Sequence, residues 1–426
     1  QLHHISMLMW GACTLLGCLI ALILSVFLVV PVSQLMPPAV RLSSTDMPSI
    51  STPLDDTNTL LYSGEFPGPF LDERVTIRVG PLGYVLVLSP SQSLSESYNG
   101  TDDLIGWYSA NKQWFDEALL TYGGVVFRGF GVQDVHSFDK ILGKFHEDLH
   151  VEVYLGTAPR RRINGTQFVS SASEIGRLAT IPTHLELPYT AHPPRRIYFF
   201  AQQPNPPPGG QTVLTDFRQV WRDLPQEYKN NLVSRGLTYH RWYYNKARRN
   251  YDILKSKSWQ EMFETDDRDI VDSAATKQGF NTTWTDDGDL LLHHKALVFR
   301  RHEVTGDEYL NLHFNVLHGA TFSVPFAWSA QLFDSKESAS LAIATYLYNR
   351  ARIYMGYGYG HDMVYSDDNS EVSWNDAMIL RRTISRNSWI YDHRAGDVVM
   401  LDNHRIAHGR SPWFTGQRKV YVALYH

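Results

Sequence analysis

His184 and Glu186 stand two apart in Thr183-His184-Leu185-Glu186-Leu187. On an extended chain such a pair shares a face, because strand side chains repeat every second residue. An imidazole and a carboxylate on one face can ligate one metal ion. Two His plus one carboxylate leave the other face of an iron open to substrate and O2. The second His must come from a distant strand. Asp402-Asn403-His404-Arg405-Ile406-Ala407-His408-Gly409-Arg410 offers His408 as the best candidate and His404 as the alternative. Taken alone, His-x-Glu also describes a half-buried strand with two polar residues, so the surrounding chain has to decide.

That chain is read as short strands around the candidate ligands with helices at the flanks. Strands are expected at Val75 to Val79, Tyr84 to Val87, Val125 to Phe130, His184 to Tyr189, Ile197 to Ala201 and Thr212 to Thr215. Further strands are expected at Leu290 to His293, Lys295 to His302, Val398 to Leu401 and Lys419 to Leu424. Helical periodicity marks Asn111 to Tyr122, Val135 to Phe145, Gln226 to Arg235, Ser335 to Tyr354 and Ser373 to Ile384. Asp216 is placed to cap another helix. Pro204 to Gly210 reads as a turn, supplying fixed φ and then positive φ. Gly356 to His361 is an aromatic, Gly-rich loop without the Gly-Lys-Ser/Thr of a phosphate loop. The fold class is mainly β with flanking helices (α+β), and a jelly roll (double-stranded β-helix) suits it, since its interior can hold a metal.

With 426 residues, 43% of them hydrophobic, the chain can bury one large core or two small ones. The net charge of −5 gives no footprint for nucleic acid, and Arg160 to Arg162 is only a short basic patch. Met7 to Val30 is an almost unbroken apolar run, long enough for one N-terminal transmembrane helix, and Pro31 ends it. Val29-Val30-Pro31-Val32-Ser33 makes a poor cleavage site, which favours a signal anchor over a cleaved signal. The organisation is therefore an anchor over 1–31, a Pro/Ser/Thr-rich linker over 32–61 and a catalytic domain over 62–426. This expectation makes the protein a single-pass membrane protein. Starting on Gln1 rather than Met, the chain is expected to lack its original N-terminus, so the positive-inside rule has nothing to act on. Both cysteines, Cys13 and Cys18, fall in the apolar run, so the rest of the chain has no disulfide and no thiolate ligand. Sequons at Asn99, Asn164 and Asn281 permit a lumenal catalytic domain.

His184-x-Glu186, then Gly209-Gly210-Gln211-Thr212, then Asp402-Asn403 leading to His408-Gly409-Arg410, together resemble the taurine dioxygenase-like iron(II)/2-oxoglutarate oxygenases. The similarity is to the clavaminate synthase-like branch, whose metal carboxylate is Glu. Val125 to Phe130, Pro193 to Leu214 and Phe314-Asn315 fit it too. The resemblance covers roughly Phe115 to the C-terminus, with insertions between about 320 and 390. It implies Fe(II), 2-oxoglutarate and O2 as the reacting set and a small organic molecule as substrate. It further implies His184, Glu186 and His408 as iron ligands, with Thr212 and Arg418 holding the distal carboxylate of 2-oxoglutarate. Where the wider family often has a second Arg four or five residues after the first, Val422 and Ala423 stand here; Arg410 or Lys419 can substitute. Tyr189, His192, Trp242 and Asn315 are candidates to line a substrate pocket, and core aromatics are the plainer reading for the rings. Two rivals remain: a non-catalytic anchored binding protein that keeps the fold, and a hydrolytic zinc enzyme using the same ligands.

Overall fold

The computed structural model describes residues 38–50, 60–61, 75–90, 100–146, 160–172, 177–178, 180–190, 192–206, 209–247, 258–312, 323–354 and 361–425. The expected anchor at Met7 to Val30 lies outside them, as do Phe314-Asn315 and Gly356 to Gly360. Among the described residues, no helix is long and apolar enough to cross a membrane.

Two sheets form the core. The smaller has five strands in the order Ser49–Ile50, Ser388–Tyr391, Thr212–Asp216, Ile406–Arg410, Ile181–His184. The larger has eight, centred on Gly124–Phe127, Asp397–Asp402, Arg196–Gln203 and Lys419–Tyr425. Between them lies an apolar layer that includes Phe199, Leu214, Trp389, Tyr391, Val399 and Val422. Most strand pairs are antiparallel, and sequence-distant strands such as Thr212–Asp216 and Ile406–Arg410 lie side by side. This is the jelly-roll arrangement expected from the sequence.

Helices Thr101–Ala110, Lys112–Tyr122 and Val135–Phe145 close the outer face of the larger sheet around Phe115, Phe127, Phe138 and Phe200. Asp134 caps the third of these through the amides of His136 and Ser137.

A second layer, only partly foreseen, covers the open end. Strands Asn281–Trp284, Leu290–Ala296, Leu237–Tyr243 and His361–Tyr365 form a separate sheet. With helices Gln226–Arg235 and Arg268–Lys277 this sheet builds its own apolar cluster, which takes in Leu185, Leu187 and Tyr189 beside Glu186. This separate sheet draws its strands from 237–243, 281–296 and 361–365, so one of them falls within the stretch of about 320–390 expected to hold insertions.

The segment read as linker is partly seated on the fold. Val40 (8% exposed) packs among Val324, Ala327 and Met378, and Leu42 (6%) is buried nearby. Trp328 Nε1 donates to the Val40 carbonyl at 2.7 Å, and Gln331 exchanges two hydrogen bonds with the Leu42 backbone. Ser49 and Ile50 then pair in parallel with Trp389 and Ile390. The domain therefore starts by Pro38 rather than at 62.

Candidate metal centre

His184 ends its strand, and His408 faces it directly in the antiparallel register between Ile181–His184 and Ile406–Arg410. The register shifts between His408 and Arg410, a bulge that draws the two backbones together. A Cβ at Gly409 would lie 2.5 Å from the Ile181 carbonyl, so only glycine fits there.

Glu186 reaches the same point by another route than strand alternation. Regular structure stops at His184, and Leu187 turns the chain with φ +51°, a left-handed value costly for a branched residue. Asn403 holds this turn: its Oδ1 accepts from the Glu186 amide at 2.8 Å, and its Nδ2 donates to the Glu186 and Pro194 carbonyls. Leu185 and Leu187 on either side are buried in the added layer. One nitrogen or oxygen from each of His184, Glu186 and His408 lies within 4.8 Å of the others, the spacing of a three-ligand metal cup.

The electrostatics suit a cation. His184 Nδ1 stands 2.8 Å from the Pro182 carbonyl, which can only accept. The hydrogen is therefore on Nδ1, and Nε2 keeps its lone pair for a metal. Burial pulls His184 down to about 4, His408 adds to this, and Glu186 opposes it. Burial alone would raise Glu186, but the Arg160 charge and the nearby His408 and His184 imidazoles outweigh it and hold the carboxylate well below its usual range. At neutral pH the set is thus a neutral His184 beside an ionised carboxylate.

Arg160 was the residue that sequence reasoning passed over. Its Nη2 lies 2.6 Å from Glu186 Oε2, and His408 Nε2 lies 3.6 Å from that same oxygen. A short run of Arg carries no metal-site motif; only the fold brings Arg160 here.

Arg410 stands two residues after His408 on strand Ile406–Arg410, and Arg418 is its cationic neighbour. Thr212 pairs with Arg410 across the smaller sheet, and its hydroxyl bonds His393 Nε2 at 2.7 Å. Arg418 Nε donates to the Gly210 carbonyl at 2.9 Å, and Arg410 and Arg418 share the face of Trp413. Gly209 and Gly210 have φ of +101° and +76°, as the turn reading requires, and place that carbonyl. Burial pulls Arg418 down to about 10, and burial plus repulsion from Arg418 pulls Arg410 to about 9. Two mutually repelling buried guanidiniums beside a hydroxyl are what an incoming carboxylate would stabilise. Lys419 is exposed, whereas Arg410 is buried.

The other candidates go elsewhere. His404 lies near His302 and Tyr309, outside the triad, and Asp402 shapes its turn by accepting from the His404 amide. His192 is exposed, and Trp242 is 41% exposed with its Nε1 on Asp289. Tyr189 lies 3.4 Å under the Arg241 guanidinium. Asn315 is outside the described residues.

A jelly roll that holds a His-x-Glu/His cup is the architecture of the non-haem iron(II)/2-oxoglutarate oxygenases. Residues 96–424 match the model of the taurine catabolism dioxygenase TauD, TfdA family. The chain belongs to that family and is a 2-oxoglutarate-dependent dioxygenase, with Fe(II) and 2-oxoglutarate as its reacting partners. It is 24% identical to the dapdiamide synthesis protein DdaC of Enterobacter agglomerans, over 72% of this chain and 84% of that protein. It is 23% identical to a clavaminate synthase-like protein of Arabidopsis thaliana, over 74% and 84%. Solved structures similar to it include PvcB of Pseudomonas aeruginosa (12% identity, TM-score 0.45, covering 85% of this chain and 95% of that one). A taurine dioxygenase of Burkholderia xenovorans is another (12%, 0.42, covering 83% and 90%).

Proposed function

We propose that this dioxygenase hydroxylates or desaturates a small organic substrate, and that Met7 to Val30 holds it to a membrane as a single-pass anchor. In this reading His184, Glu186 and His408 ligate the iron, while Thr212, Arg418 and Arg410 hold the distal carboxylate of 2-oxoglutarate. The observation that carries the reading is the convergence of those three ligands, with Arg410 two residues beyond His408 on the same strand.

When bound, iron(II) with 2-oxoglutarate and O2 supplies an oxidant that can take a hydrogen atom from an unactivated C–H bond, with succinate and CO2 released. The chain's part is positioning. The Pro182 carbonyl fixes the His184 tautomer, Asn403 fixes the Glu186 backbone, and the bulge at Gly409 sets the distance between the two imidazoles. Arg410 and Arg418 orient the co-substrate by charge, and the apolar cluster that takes in Leu185, Leu187 and Tyr189 excludes water from that side.

The test is anaerobic titration of the protein with Fe(II) and then 2-oxoglutarate. A weak visible charge-transfer band is expected in the wild type and absent in His408→Ala. A band of full strength in His408→Ala would move the ligand role elsewhere.

Placing the catalytic domain in a lumen is the companion proposal. Asn164 and Asn281 are both exposed, as a glycan acceptor must be. Expression in a secretory system, followed by endoglycosidase digestion, should shift the band on a gel. No shift would place the domain on the other side of the membrane.

A further inference from the structure

Strand Leu237–Tyr243 buries every second side chain: Leu237, Tyr239, Arg241 and Tyr243. Three of these join the apolar cluster that takes in Leu185, Leu187 and Tyr189. The fourth is a guanidinium, on a residue 6% exposed. Buried charges are ordinarily paired. Arg128, Arg160 and Arg405 follow that rule, on Asp397, Glu186 and Asp216. Among the described residues, no carboxylate pairs with Arg241. Its neighbours are aromatic: the Tyr189 ring at 3.4 Å, the Phe280 ring at 5.9 Å, and Tyr243. Rings stacked on a guanidinium favour the cation through its faces, but they do not replace an anion on the N–H bonds in its plane.

Arg300 brings a second cation to the same segment. Its Nη2 donates to the Thr190 carbonyl at 3.2 Å, and its Nε is buried without a hydrogen-bond partner. His294 reports both charges. Burial lowers its pKa, Arg241 and Arg300 lower it further, and only the Gly279 carbonyl opposes them. Tyr189 and Thr190 follow the metal ligand Glu186 by three and four residues, so both cations are fixed to the chain that leaves the cup. A carboxylate on a flat or apolar body would supply the missing charge and lie among the rings, whereas a neutral or cationic ligand would leave the guanidinium uncompensated.

We propose that Arg241, supported by Arg300, receives the carboxylate of an organic acid, and that this acid is the substrate. The second half of the proposal rests on the function proposed above.

The experiment uses the full chain with Mn(II) and saturating 2-oxoglutarate under anaerobic conditions. Two probes of nearly equal shape, 4-fluorobenzoate and 4-fluorobenzamide, are titrated and followed by fluorine NMR. The acid should bind about tenfold or more tighter than the amide, as one charged hydrogen-bonded pair provides. Arg241→Gln should bring the two probes to similar affinity. Equal affinity for the wild type would overturn the proposal, as would an acid preference that survives Arg241→Gln. Displacement of the acid by further 2-oxoglutarate would place the probe in the co-substrate site, with the same consequence. Mn(II) should broaden the signal of the bound acid where Zn(II) does not; an acid preference without that broadening would keep the anion site and overturn its role in holding substrate. An acid preference in a chain that gives no charge-transfer band with Fe(II) and 2-oxoglutarate would leave the anion site standing and overturn the proposed function instead. Should Arg241→Gln fail to melt cooperatively, Arg241→Lys decides. Without the planar fork it should weaken the acid severalfold and leave the amide unchanged, and wild-type affinity for the acid would overturn the proposal.

Discussion

Arg160 and Glu186 form a buried ion pair, with side chains 8% and 4% exposed. Removing one partner of such a pair leaves a buried charge, at a cost of about 3–5 kcal/mol. Glu186→Gln should therefore lower stability by about that much and also abolish Fe(II) binding. Adding Arg160→Met should recover most of the stability and none of the metal binding. Urea unfolding and metal titration on the single and double variants check this; a double variant no more stable than the single one would show that the pair is not coupled. Arg418 invites a different prediction, because it touches only the co-substrate side. Arg418→Gln should raise the apparent KM for 2-oxoglutarate about thirty-fold or more while Fe(II) affinity stays nearly unchanged. An unchanged KM would shift the anchoring role to Arg410.

At the scale of the element, the bulge at Gly409 is the joint that sets the imidazole pair. Gly409→Ala would press a methyl against the Ile181 carbonyl and the Thr183 amide, at 2.5 and 2.9 Å. The strands must part, so a stability loss of about 1–3 kcal/mol should come with clearly weaker metal binding. Wild-type metal affinity in that variant would mean that the register tolerates the methyl. Much of this element layer was legible in the sequence. Helices Val135–Phe145 and Gln226–Arg235 and strand Val75–Val79 fall where their periodicity placed them, because each buries residues spaced at its own repeat. The metal triad was legible because its residue types are rare together. His-x-Glu, however, was read as a strand pair, and Glu186 is held instead by Asn403, a contact between residues 217 apart that no local pattern encodes. The separate sheet was foreseen only at Leu290 to His293, for a similar reason. Leu237–Tyr243 mixes buried Tyr239 and Tyr243 with exposed Trp242, and its partners come from 290–296 and 361–365.

For the molecule as a whole, the seated segment 38–50 decides where the catalytic domain can be cut. A chain beginning at Tyr62 loses Val40, Leu42 and the Ser49–Ile50 strand, while one beginning at Pro38 keeps them. Burying one such side chain contributes about 1.5–3 kcal/mol, so the longer form should melt several degrees higher and aggregate less. Equal melting temperatures would show that the segment rests on the fold without stabilising it. Its seating also bears on the proposed anchor. If the membrane helix ends at Pro31, only six residues, 32–37, and so seven Cα steps (38 − 31 = 7), separate it from the first residue fixed on the domain. Fully stretched they span at most roughly 25 Å. A leash that short allows little swing, so the enzyme would patrol a thin sheet of solution along the bilayer. Its working rate would then follow how densely substrate gathers at that surface, more than its concentration in the bulk.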